Sequence, residues 1–360
     1  MFKNLKIENF RGITDLEVND FRQFNLFVGK NNAGKSTILE AIFLLINPSN
    51  PELPIKINDM RNISAFKPEN WDLFFHNLKK EIDIKLSCEL TNSEIRYLKI
   101  KPLMDSSFDS IVPNENSIVK IETNNLISHE GIELIYAYQS KNHRVNEQVS
   151  SFRLNQTPKG PEIKINTKHT VPSYLKKLNG IYIHSGFVSE AIGKRFGKIV
   201  ENNNEDRIIK VSKKVDPLIQ NLKLGPDNTL LCDVGLKRSL PLNVMGGGLI
   251  KILSVIVAIS EVENGILIID EIENGLHISL QEILWKTIFE TAKEYNVQIF
   301  ATTHSSECLD ALMITAYDIC NENVEDIRLY RIEKDLDRFK IINYDHDMLY
   351  TSLEKGWEVR

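Results

Sequence analysis

The first 28 residues alternate apolar and polar positions in three short runs, Lys3 to Ile7, Thr14 to Val18 and Phe24 to Val28, separated by Arg11-Gly12 and Asn19-Asp20. A period of two with turn residues between the runs predicts three strands of a small sheet. From Ser36 the spacing becomes helical, through Ile38, Leu39, Ile42, Phe43, Leu45 and Ile46, and Asn47-Pro48-Ser49 ends the helix. Residues 50 to 180 differ in texture. Pro, Asn and Ser punctuate alternating runs such as Glu81 to Leu90, Ile132 to Tyr138 and Pro161 to Ile165, which predicts a mostly β lobe. A charged helical stretch follows from Phe187 to Lys223, then a strand near Leu230 to Val234.

The last third reads as helix 249–262, strand 265–269, helix 279–294, strand 298–302 and helix 306–319. A strand pair over 326–342 and a terminal helix with Trp357 and Arg360 complete it. This alternation implies parallel strands with helical crossovers, and the apolar runs Gly265 to Ile269 and Gln298 to Ala301 suit strands covered on both faces. The fold class expected is α/β, with a mixed or parallel sheet. Residues 1–48 and 181–360 are expected to form one nucleotide-binding domain, including the helical segment 187–223, and residues 49–180 an inserted β-rich lobe.

Charge and composition narrow the function. The chain has 360 residues, 44 basic and 49 acidic, with a net charge of -5, so it lacks the footprint of a dedicated nucleic-acid-binding domain. Local basic patches still leave nucleic acid open as a partner. Cys88, Cys232, Cys308 and Cys320 lack metal or disulfide spacing, which favours a reducing cytosol. No signal-peptide pattern and no run of roughly 20 apolar residues occurs, so a cytoplasmic protein that does not span a membrane is expected.

The candidate chemistry begins at Gly29-Lys30-Asn31-Asn32-Ala33-Gly34-Lys35-Ser36-Thr37, between an apolar strand and a helix. Its spacing fills all four fixed positions of a phosphate loop. The glycines let backbone amides turn inward and the helix start adds its positive end. Lys35 is expected to reach the β and γ phosphates of ATP, and the Ser36 hydroxyl to ligate Mg²⁺. A metal and an attacking water both need further oxygen ligands. Ile266-Leu267-Ile268-Ile269-Asp270-Glu271 supplies them: Asp270 toward the metal, Glu271 to polarise water. His304, in Ala301-Thr302-Thr303-His304-Ser305, again follows an apolar strand and suits a γ-phosphate contact.

This order of motifs resembles the ABC-type ATPase heads of the SMC, RecF and OLD (overcoming lysogenisation defect) group. The wording is closest to OLD-like ATPases, through Glu8-Asn9-Phe10-Arg11-Gly12, Asp270-Glu271-Ile272-Glu273-Asn274-Gly275-Leu276-His277 and the His304 segment. The resemblance covers residues 1–48 and 181–319 well and the intervening lobe poorly. It implies a homodimer or higher homo-oligomer with ATP sandwiched between heads. The signature segment then corresponds to Met245-Gly246-Gly247-Gly248-Leu249-Ile250-Lys251, which lacks the usual serine at Gly246. It further implies Arg11 near the nucleotide and His277 at a subunit interface. The glutamine that links magnesium to the mobile lobe in such heads is left unassigned. Residues 305–360 leave no room for the TOPRIM nuclease domain that many OLD-like proteins carry, so a separate effector, such as a TOPRIM-like nuclease in an anti-phage defence module, is expected. A RecF-like DNA-repair ATPase is the alternative, and a transporter's ATPase a third.

Overall fold

The computed structural model describes residues 1–103, 131–140, 144–157, 160–167, 178–184, 190–319, 326–336 and 338–355. Phe187, where the charged helical stretch is expected to begin, and Cys320, Trp357 and Arg360 lie outside them. Strands β1 (Leu5–Phe10) and β2 (Ile13–Val18) form a hairpin. Arg11 turns it in the left-handed region at φ 51°. Both strands bury alternate residues, as a sheet with one covered face should. Strand β3 (Phe24–Val28) is buried at all five positions and does not join them. It lies between two parallel neighbours of a second sheet, so the expected three-stranded N-terminal sheet is corrected to a hairpin plus a central strand. A fully apolar strand needs cover on both faces, and only the second sheet supplies that.

Helix α1 (Lys35–Ile46) leaves the loop after β3, and α2 (Glu52–Met60) follows. Then come β4 (Ile84–Glu89), β5 (Ile95–Pro102), β6 (Gly131–Gln139), β7 (Arg144–Thr157) and β8 (Gly160–Thr167), an antiparallel series. β4 pairs with β1, giving one seven-stranded sheet in the order β2-β1-β4-β5-β6-β7-β8. The lobe expected at 49–180 therefore continues the sheet begun by residues 5–18, and the boundary expected at residue 48 falls inside that sheet.

Strand β9 (Gly180–Ile183) starts the return to the second sheet, followed by α3 (Glu190–Glu201) and α4 (Glu205–Val215). A small antiparallel sheet of β10 (Asn221–Leu224), β11 (Leu230–Asp233) and β12 (Leu240–Pro241) leads to α5 (Gly247–Glu261). The rest alternates: β13 (Ile266–Ile269), α6 (Gln281–Glu294), β14 (Gln298–Thr302), α7 (Ser306–Ile319), β15 (Ile327–Asp335), β16 (Arg338–Tyr344) and α8 (His346–Glu354). The six-stranded sheet has the order β16-β15-β3-β14-β13-β9, parallel except for the β15–β16 hairpin.

Alternate residues of its central strands feed two cores. Leu26, Ile269 and Ala301 pack with α3 to α7, while Phe27, Ile268 and Phe300 pack with α1 and the inner face of the seven-stranded sheet. Helix α1 is buried along nearly its whole length between the two sheets. The C-terminal ends of the parallel strands then converge beside its first turn, the place where open α/β sheets bind ligands. No helix among the described residues is long and apolar enough to cross a membrane.

Candidate nucleotide site

The loop after β3 is shaped by three left-handed residues: Gly29 at φ 140°, Asn32 at 64° and Gly34 at 97°. A Cβ on Gly29 would lie 2.5 Å from the Ile332 carbonyl oxygen on neighbouring β15, so that position accepts only glycine. Gly34 sits against Ile13 and Phe339. Lys35 opens α1, is 5% exposed, and folds back so that Nζ donates to the carbonyls of Gly29 (2.8 Å) and Lys30 (2.9 Å). Burial lowers its pKa, opposed by Asp270, Glu271 and Glu273 in that order. No side chain caps α1, which leaves its first amides for an anion. Lys30, Asn31 and Asn32 are exposed, Ser36 is half-buried in the first turn, and Ala33 and Thr37 are buried.

The ends of β13 and β14 hold the carboxylates. The Asp270 amide continues the β9 ladder by donating to the Ile183 carbonyl, 2.9 Å. Thr302 links the two strand ends: its hydroxyl donates to Asp270 Oδ1 (2.6 Å) and accepts the Glu271 amide (2.8 Å). The Tyr182 hydroxyl donates to Asp270 Oδ2 at 3.5 Å. Burial first, then Asp270, pushes that phenol well above its ordinary pKa. Glu271 is left-handed, φ 50°, which turns the chain out of the strand. His304 joins through its main chain, whose N–H donates to Glu273 Oε1 at 2.7 Å.

The hard oxygen donors fit magnesium. Asp270 is oriented by two donors, Ser36 stands in the first turn of α1, and no cluster of three or more acidic, His or Cys side chains able to hold a metal occurs among the described residues. Mg²⁺ suits this frugal set, because it keeps water and substrate phosphate oxygens as ligands.

Two expectations meet a different environment. Arg11 is folded into a buried network: Nε donates to Glu40 Oε2 on α1 (2.6 Å), Nη2 to Asn58 (3.3 Å), and the guanidinium lies 4.7 Å from the Phe74 ring centroid. Arg61 pairs with the other Glu40 oxygen. In this structure Arg11 braces α1, because a buried Glu40 requires its counter-charges. The glycines expected as a signature start α5, but they are not alike. A Cβ on Gly248 would meet Leu280 at 2.3 Å and Leu276 at 3.6 Å, whereas Gly246 and Gly247 face open space.

Four site residues were missed in the sequence. The parallel register pairs Ile183 with Ile269, so His184 follows β9 beside Asp270. Burial lowers the His184 pKa, while the Asp270 charge pulls it up. Tyr182, Glu273 and Lys251 complete the set. Isoleucine-rich residues 181–183 ending in a histidine gave a signal of the same kind as the His304 strand. Nothing local marks Lys251.

A family model described as "AAA domain, putative AbiEii toxin, Type IV TA system" matches residues 24–310. Over 343 residues the chain is 28% identical to a Helicobacter pylori protein named "ATP/GTP phosphatase", spanning 87% of each. Over 146 residues it is 28% identical to the DNA replication and repair protein RecF of Lactobacillus acidophilus, 40% of this chain and 36% of that one. An SMC head solved with the C-winged helix domain of ScpA shares the fold, at TM-score 0.50 and 13% identity over 99% of both chains. The chain therefore belongs to the AAA-domain family of the putative AbiEii toxin type, and is an ATPase with the fold of an SMC head.

Proposed function

We propose that the chain is the ATP-binding and hydrolysing subunit of an OLD-like anti-phage defence complex, dimerising around ATP and controlling or scaffolding a separate effector such as a TOPRIM-like nuclease. The observation that carries the dimer is the start of α5. Gly246 and Gly247 present open backbone, Val244 is 66% exposed beside them, and Ile278 is 56% exposed on the loop that packs against Gly248. An uncapped helix start ringed by exposed apolar side chains suits a partner's γ phosphate and a partner's surface. Exposed His277, whose ring accepts the Ser279 amide at 3.3 Å, stiffens that same loop.

In this reading the amides of residues 29–36 and the Lys35 ammonium hold the triphosphate, Lys35 exchanging its loop carbonyls for phosphate oxygens. Ser36 and Asp270 would hold magnesium, which supplies charge neutralisation at the phosphates when bound. Glu271 orients and deprotonates the attacking water. His304 contacts the γ phosphate. The sequence likeness to RecF favours a second reading, an ATP-dependent DNA clamp.

Light scattering of the Glu271→Gln chain with ATP and magnesium tests the dimer. A trapped dimer with hydrolysis slowed on the order of a hundredfold is expected; a monomer, or turnover at the wild-type rate, overturns the reading. Co-purification with the neighbouring gene product tests the effector, and salt-sensitive, ATP-dependent DNA binding by the isolated chain would favour the RecF-like reading instead.

A further inference from the structure

Glu273 has no part in the chemistry proposed above, yet its side chain is tied into the site. Beyond the last paired residues of β13 and β14, three hydrogen bonds extend the junction. The Glu271 amide donates to Thr302 Oγ1 (2.8 Å), the Ile272 amide to the Thr302 carbonyl (3.0 Å), and the His304 amide to Glu273 Oε1 (2.7 Å). The third uses a side chain where a ladder would use a carbonyl, so the main chain of His304 is tied to the Glu273 carboxylate. The other oxygen, Oε2, is buried and has no hydrogen-bond partner among the described residues. A buried carboxylate oxygen without a partner is destabilising unless a nearby cation offsets it.

Two ammonium groups feel the Glu273 charge, Lys35 at the start of α1 and Lys251 on α5. Gly248 is seated on Leu276 and Leu280, so this face of the helix lies over the segment that follows Glu273. Lys251 is three residues further along, on the same face. Burial lowers the Lys251 pKa, opposed by the charges of Glu273, Glu271 and Asp270 in that order.

We propose that Glu273 is a positioning residue for hydrolysis: Oε1 fixes the main chain of His304, and Oε2 is held by the charge of Lys251, so that the seating of α5 and the placement of His304 are linked. This rests on the reading of His304 as the γ-phosphate contact.

Steady-state ATP hydrolysis by the full chain with magnesium tests it, with mant-ATP binding and thermal melting on each variant. Glu273→Leu removes the acceptor and should lower kcat on the order of tenfold or more, with KM for ATP within about twofold, since small misplacements at a reacting centre act on the rate. Glu273→Gln keeps an oxygen that can accept from His304 and should recover kcat to within about threefold of wild type. Lys251→Met should lower kcat several-fold alone and add nothing to Glu273→Leu, as groups acting through one contact are not additive.

Wild-type kcat in Glu273→Leu overturns the proposal. So does a Glu273→Gln as slow as Glu271→Gln, which would make the carboxylate a chemical participant, and so do additive effects of the two leucine and methionine changes. Should Glu273→Leu not fold, Glu273→Gln and Lys251→Met decide by the same criteria. Glu271→Gln, measured in parallel, separates the two levels: wild-type turnover there refutes the site itself, whereas slow Glu271→Gln with unaffected Glu273 variants refutes only this inference.

Discussion

The chain opens two apolar helices with glycine-rich segments, and the structure treats them in opposite ways. Before α1, Gly29 is pressed against the Ile332 carbonyl, Gly34 against Ile13 and Phe339, and Lys35 is folded onto the loop's own carbonyls. Before α5, a Cβ on Gly246 or Gly247 would meet nothing within 4 Å, and Val244 is exposed beside them. The first is a loop walled by its own chain. The second has the same backbone assets, free amides at a helix start, but lacks walls. Glycine alone therefore does not distinguish a phosphate cradle from an open surface; what packs around it does.

This contrast can be broken from its firmest side. Helix α1 is braced where Glu40, 4% exposed, meets Arg11 and Arg61. Arg11→Met should destabilise the protein by about 3 kcal/mol, the range for opening a buried ion pair, read as a lower midpoint of denaturant unfolding. ATP affinity of the folded fraction should hold, and a selective loss of affinity without loss of stability would restore Arg11 to the nucleotide. Gly29→Ala comes next. The added carbon meets a backbone carbonyl that cannot rotate away, at a φ alanine resists, so a loss of about 2 kcal/mol with failed ATP binding is expected from melting and mant-ATP titration.

Lys35→Ala should leave the loop folded and weaken ATP binding roughly tenfold to a hundredfold, the value of a hydrogen bond to a charged group, by isothermal titration calorimetry. Gly247→Ala is the smallest effect and the sharpest comparison with Gly29→Ala. Its Cβ enters open space at the first residue of a helix, so stability should move by no more than about 0.5 kcal/mol and ATP affinity should be unchanged. If a partner surface closes there, ATP-driven association measured by light scattering should still weaken. Association unchanged in Gly247→Ala and in a bulkier Gly247→Leu would show that α5 does not meet the partner at this point.

Local patterns were legible wherever chain neighbours share a fate. Strands 24–28, 298–302 and the helices after them fall within a residue or two of their expected places, because burial on both faces writes an uninterrupted apolar run. The pairing partners were not. Residues 5–18 and 24–28 read alike as short apolar runs, yet only the former pair with β4 and the lobe, since pairing is a contact between distant segments. Arg11 shows the same limit. Its motif suggested a nucleotide contact, but a carboxylate 29 positions away and an asparagine 47 away claim its guanidinium.

By itself the sequence determined the glycine loop between β3 and α1, the Asp270-Glu271 strand end and the α/β class. Each is encoded in consecutive residues whose spacing fixes backbone shape or strand burial. Tertiary structure alone decided that His184 stands beside Asp270, that Thr302 orients Asp270 and the Glu271 amide together, that Glu273 carries the main chain of His304, and that Gly246 and Gly247 are open while Gly248 is not. Those contacts join strands and helices far apart in the chain, where packing of buried side chains, and no local periodicity, sets the distances.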